Sequence, residues 1–226
     1  STLPFDWDLT GEVEAEDVEL TFESYPSSLT AINGKVRLHN LEWVVLDMTS
    51  SWGSTTDCRI GGHGRFRPGN WPVMHIDLEA PVLYLDEWLR PWNGVEESGY
   101  ESRLENPVFE LTGTIRGKRA FYRKHPGTDF FAEISLHEPD EGTGIFRYRN
   151  GRTDMYGGRL EGEGEVRHDS LTTTATLLFV AKDISLPRFL QTETGKEQTF
   201  VGRLNGTGTF QFGTGGFESL TGRGEI

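Results

Sequence analysis

The chain has 226 residues, 35% of them apolar and 12% aromatic, and carries a formal net charge of −13. That charge removes the long-range attraction on which nucleic-acid binders rely, no apolar run approaches the roughly 20 residues of a membrane span, and the aromatics are too plentiful for disorder. A mean hydropathy of −0.48 is low for a compact two-layer globule and suits strands with one wet face and one buried face.

The start, Ser1-Thr2-Leu3-Pro4, has neither a charged segment nor an apolar one of the signal-peptide kind, so any signal or anchor is expected outside this segment. Phe5–Leu9, Val13–Val18 and Val18–Phe22 alternate apolar and polar residues and predict strands. The same period of two recurs at Val36–Leu38, Ile76–Ala80, Phe109–Leu111, Phe146–Tyr148, Leu160–Val166 and Phe210–Phe212. Helical spacing is confined to Leu85–Leu89 and Leu186–Leu190, where apolar residues at i, i+3 and i+4 predict one turn apiece. Pro187 sits where a first helical turn tolerates proline. Twenty-eight glycines and ten prolines are spread along the chain and predict frequent turns and bulges without a linker.

The two helical turns belong to a repeat. Ile60-Gly-Gly-His-Gly-Arg-Phe-Arg67 aligns with Leu160-Glu-Gly-Glu-Gly-Glu-Val-Arg167, and Ile76 to Leu89 aligns with Leu177 to Leu190. Upstream, Gly34-Lys-Val-Arg-Leu-His-Asn40 aligns with Gly144-Ile-Phe-Arg-Tyr-Arg-Asn150. Two copies of one meander follow, residues 1–100 as a first unit and 101–226 as a second, continuous with it. The expected fold is all-β: a long antiparallel sheet of repeated meander units with one or two short helical turns. Such a sheet must curl, close or fold over to hide its apolar face, and a curled one is a trough.

The series Asp154-Met-Tyr-Gly-Gly-Arg-Leu-Glu-Gly-Glu-Gly-Glu-Val166, then Ala181 to Leu190, Gly202-Arg-Leu-Asn-Gly-Thr-Gly208 and Phe217 to Ile226, resembles the carboxy-terminal region of the AsmA-like superfamily, which includes the TamB-type proteins. Residues 11–89 look like the preceding unit of the same architecture. The resemblance implies a taco-shaped or half-pipe sheet belonging to a bridge-like lipid transfer protein. Such a protein sits in the periplasm of a Gram-negative bacterium, with an inner-membrane anchor outside this segment, and lets phospholipid acyl chains slide toward the outer membrane.

On this reading the partner is a phospholipid or another acyl-chain lipid, envelope proteins are possible further partners, and no cofactor is implied. The groove is expected from the inward-alternating Ile76, Leu78, Leu83, Leu85, Phe146, Tyr148, Leu177, Phe179, Ile184 and Leu186; the competing reading makes these a closed, filled core. Arg116, Lys118, Arg119, Arg123 and Lys124 are candidates for lipid-phosphate contacts at the groove rim, or else a solvated hairpin tip. Trp43, Trp52, Trp71, Trp88 and Trp92 could stack on sugar rings, or plug the ends of a sheet.

Catalytic and metal motifs are missing from the sequence. The histidines at 39, 63, 75, 125, 137 and 168 never take a ligand spacing, Cys58 is the sole cysteine, and there is no nucleophile elbow or phosphate-binding glycine loop. A non-enzymatic protein is expected. Two other functions compete with lipid binding: an assembly module for outer-membrane proteins that offers an exposed sheet edge, and a carbohydrate-binding β domain.

Overall fold

A computed structural model describes residues 10–20, 29–67, 70–89, 109–138, 144–168, 172–213 and 216–225. Five strands, β1 (Thr10–Leu20), β2 (Leu29–His39), β3 (Glu42–Trp52), β4 (Thr55–Arg67) and β5 (Asn70–Tyr84), lead into a helix, α1 (Leu85–Leu89). Five more, β6 (Phe109–Tyr122), β7 (His125–Glu138), β8 (Gly144–Met155), β9 (Gly158–His168) and β10 (Thr173–Ser185), lead into α2 (Leu186–Thr194). The strands β11 (Arg203–Gly213) and β12 (Gly216–Glu225) follow. The expected strand at Phe5–Leu9, Trp92, and the side chains of Trp71 and Trp88 lie outside the described residues.

All twelve strands form one sheet in sequence order, curled and unclosed. Ten of the eleven pairings are antiparallel, and β5 and β6 run parallel, with Val73 opposite Glu110 and Tyr84 opposite Phe121. A parallel neighbour needs a crossover instead of a tight turn, and α1 with the residues after it makes that connection. Counting back from each helix, β8 is the counterpart of β3, whereas the Gly34–Gly144 alignment sets β2 against β8. The matched segment is short, and its alternation recurs in every strand.

Register separates two faces. One row runs Val13, Val36, Val45, Gly62, Ile76, Gly113, Ile134, Tyr148, Gly164, Leu177, Phe210, Gly222, each residue opposite the next across all twelve strands. The adjacent row, displaced by one residue, runs His63, His75, Thr112, Ser135, Arg147, Glu165, Thr176, Gln211. One face is therefore continuously apolar or glycine and the other mostly polar, with Val44 and Leu178 exposed on it.

The curl has a local cause. Asp17, Ala31, Asp57, Asp129 and Asp183 take left-handed φ of 50° to 56° at nearly one level across the sheet, beside breaks in register. In β4, β6 and β10 the exposed pairs Thr56-Asp57, Lys118-Arg119 and Lys182-Asp183 stand between buried residues. Two successive side chains on the polar face lengthen that face, so the strands bend toward the apolar side along this bulge row. The Asp17 amide donates to Asn33 Oδ1 at 2.9 Å and the Asp183 amide to Asn205 Oδ1 at 2.8 Å, one solution used near both ends of the sheet.

Both helices lie at the strand ends on one rim. In α1, Glu87 accepts the Ser54 amide at 2.7 Å from the β3–β4 turn. A Cβ at Gly53, where φ is +55°, would come within 2.4 Å of the Glu87 carboxylate, so glycine leaves this contact undisturbed. Beneath this rim Cys58, Ala80, Leu83 and Ala120 form a buried cluster flanked by Leu78, Leu85, Ile115 and Phe130.

Candidate functional site: an apolar trough

The bulge row makes the fold axis run across the strands, so the trough follows the row of register partners. Twelve strands at about 4.8 Å spacing give it a length of roughly 53 Å. In the central row Val36, Val45, Ile76, Ile134, Tyr148, Leu177 and Phe210 are half-buried, and Val13 near the edge is 54% exposed. Among the described residues no second layer covers this face; α1 and α2, of five and nine residues, sit at its rim.

The ten expected groove residues divide into three groups. Ile76, Leu78, Phe146, Tyr148, Leu177 and Phe179 share the half-buried floor. Leu83 and Ile184 lie beyond the bulge row, 0% and 4% exposed, and belong to a filled corner instead of an accessible lining. Leu85 and Leu186 open the two helices and line the rim. Leu83 and Ile184 each follow a buried alanine, Ala80 and Ala181, by three residues, and in β10 a break in register lies between the two. The floor also contains Val36, Val45, Ile60, Ile115, Ile134 and Phe210, which the alternation of their strands could have indicated, and Met48, which a break in register after Val45 hides from it.

On this floor aromatic side chains face glycines. Trp43 is opposite Gly64, Tyr148 opposite Gly164, Phe179 opposite Gly208 and Phe210 opposite Gly222. A Cβ at these glycines would come within 2.4 to 2.6 Å of the opposing ring, so each ring lies across its neighbour's backbone. Phe179 and Phe210 stack at 5.2 Å between centroids with 15° between planes. Burial pushes the Tyr148 phenol up to about 12, with the Glu163 carboxylate adding to the effect, so it remains a neutral hydroxyl on the floor at neutral pH.

The five expected basic contacts do not converge. Arg116 lies on the polar face 4.8 Å from the Phe131 ring centre, with Arg152 over the same ring at 4.7 Å. Lys118 and Arg119 are the exposed pair of the bulge. Only Arg123 and Lys124 occupy a hairpin tip, Arg123 over Tyr122 and Lys124 paired with Glu193 at 3.0 Å. Strand parity turns most of this sequence cluster away from the trough.

A second concavity, of about 910 Å³, opens near the helical rim and is lined by Arg119, Asp154, Arg159, Lys182, Asp183 and Arg203 among others. Arg159 is held by Asp154 at 2.7 Å and Lys182 by Glu161 at 2.6 Å. Arg119 on β6 and Arg203 on β11 are five strand spacings apart, roughly 24 Å, too far for one anion to bridge.

His125 Nδ1 is 2.7 Å from the Tyr156 hydroxyl and its Nε2 2.5 Å from Glu193, while Phe189 stacks on the imidazole at 5.4 Å. This chain fastens α2 to the turns before β7 and β9. Cys58 is buried, and desolvation, aided by Asp57, pushes its thiol up to about 11. Among the described residues no three His, Cys, Asp or Glu side chains are grouped to hold a metal. Trp43 and Trp52 are half-buried, Trp43 with its ring across Gly64 on the floor.

Comparison of the chain with protein-family models, with curated proteins and with solved structures finds no match.

Proposed function

We propose that the trough holds the acyl chains of phospholipids and shields them from water, acting without covalent chemistry as a segment of an AsmA-like bridge between the inner and outer membranes of a Gram-negative envelope. The observation that carries this reading is the unbroken row of apolar residues and glycines across twelve strands, most of them half-buried, without a covering layer among the described residues. A filled core would bury such a row. Each methylene taken from water is worth about 0.8 kcal/mol, so an acyl chain can be retained without a specific polar contact and can still slide. The polar face, with Arg147–Glu165 and Lys182–Glu161 pairs, keeps the sheet in water. The half-pipe shape and the resemblance of residues 154–226 to the AsmA-like carboxy-terminal region support the same reading.

The test is native mass spectrometry of protein purified from a bacterial envelope without added lipid, followed by organic extraction. Bound phospholipid that is lost in a folded Leu78→Asp/Phe179→Asp variant supports the trough. An apo mass together with failure to take up a fluorescent phospholipid rejects it.

A second reading, an assembly module, is favoured by the asymmetry of the two sheet edges. The edge strand β1 carries Glu12, Glu14, Glu16 and Asp17 with a bulge, which blunts an edge, whereas β12 from Thr221 to Glu225 carries two glycines and pairs regularly with β11. On that reading an extended strand adds to β12, and cross-linking from Arg223→Cys captures it.

A further inference from the structure

The apolar face holds two kinds of glycine, distinguished by what a side chain there would meet. At Gly62, Gly113 and Gly158 the nearest atom is backbone: His75 O at 2.5 Å, Ile76 O at 1.8 Å and Lys182 O at 2.3 Å. These positions let strands approach one another, and the sheet cannot yield there. At Gly164, Gly208 and Gly222 the nearest atoms belong to movable rings: Tyr148 Cε1 at 2.5 Å, Phe179 Cζ at 2.4 Å and Phe210 Cδ1 at 2.6 Å. A methyl group at any of the three forces a ring to rise from the floor.

We infer that Gly164, Gly208 and Gly222 set the clearance of the trough, keeping Tyr148, Phe179 and Phe210 flat so that a two-chain lipid can lie above them. This rests on the acyl-chain reading and deepens it. A flat ring occupies about one van der Waals separation, roughly 3.5 to 4 Å, above the backbone. Across β10 the apolar positions Ala175, Leu177, Phe179 and Ala181 span three two-residue steps, about 20 Å of strand, wide enough for two chains side by side. Raising Phe179 or Phe210 puts a ring into that width near its centre, where a single chain can pass and a pair cannot. The first five strands present Val36, Val45, Ile60 and Ile76 at the corresponding level, with ring-over-glycine packing, among the described residues, only at Trp43 and Gly64, so the clearance is controlled in the carboxy-terminal half.

The experiment compares wild type, Gly208→Ala/Gly222→Ala, and the same pair with Phe179→Leu and Phe210→Leu added. Each is titrated with dioleoyl phosphatidylglycerol and with its single-chain lyso form. Proton NMR of the wild type first checks the geometry without lipid: the Gly208 and Gly222 Hα resonances should be moved upfield by the rings, and Phe179→Leu should abolish the shift at Gly208. The glycine variants are expected to fold, to lose at least about tenfold in diacyl affinity and to keep lyso-lipid binding, with leucine restoring diacyl binding. Equal diacyl affinity in wild type and Gly208→Ala/Gly222→Ala, or a loss that leucine does not repair, overturns the inference while leaving the trough reading intact. Wild type that binds neither lipid overturns the trough reading itself and the inference with it.

Discussion

On either side of the bulge row the same apolar face is packed in two different ways. Toward the helices, Cys58, Ala80, Leu83 and Ala120 are nearly inaccessible and close a corner under α1. Toward the middle, Ile76, Leu78, Leu177 and Phe179 are only half-buried. One continuous surface thus has a closely packed part and a less buried part: the corner gains its packing from the bend and the helices, and the floor has no covering layer among the described residues.

The largest effect expected from this contrast is on stability. Leu83→Ala should lose about 2–5 kcal/mol in urea unfolding, the range for emptying a packed core site, whereas Leu177→Ala on the floor should lose clearly less. Equal losses would break the distinction between corner and floor. Thiol labelling provides a second check: Cys58 should resist an aromatic disulfide reagent at pH 8 in the native protein and react at once in urea, because burial holds the thiol far from its reactive thiolate.

Loosening α2 should have a smaller effect, confined to its rim. Glu193→Ala removes the partner of His125 and Lys124 and should loosen the rim only, read as faster amide exchange in α2 and in the β6–β7 turn with the floor unchanged. Spread of that exchange to β4 and β5 would mean that corner and floor open together.

The polar face should respond to acid. Hydrogen bonds from Arg167 and then Arg147 hold the Glu165 carboxyl below its usual range, and Arg159 does the same for Asp154. A depressed carboxylate contributes stability above its unfolded pKa and loses it as pH falls through the folded value. The urea midpoint should therefore decline from about pH 5 downward, and less steeply in Glu165→Gln. The smallest expected change is a gain: Ala31 has φ of +50°, and Ala31→Gly should relieve up to about 1 kcal/mol of backbone strain. A loss there would show that the methyl group contributes more to packing than its φ costs.

Much of the framework was legible in the chain. The strand segments at Val36–Leu38, Ile76–Ala80, Leu160–Val166 and Phe210–Phe212 fall inside observed strands, the turn at Leu85–Leu89 is α1, and that at Leu186–Leu190 is the start of a longer α2. Alternation also placed six of the ten groove residues on one face. Alternation could not say that Leu83 and Ile184, at 0% and 4% exposure, are buried in a filled corner instead of lining an accessible floor. It failed for the basic run at Arg116–Lys124 because closeness in sequence says nothing about parity across a strand.

Composition, charge and period by themselves determined that this chain forms a long sheet with one apolar and one polar face, since both follow from side-chain chemistry repeated every second residue. Neighbour relations were decided only by the tertiary structure: the parallel β5–β6 junction, the common level of the bulges, and the rings opposite Gly164, Gly208 and Gly222. The reason is physical. Alternation states which way a side chain points, but the strand that lies beside it, and at what register, depends on hydrogen bonding between segments far apart in the chain, and that register determines whether a ring meets a side chain or a glycine.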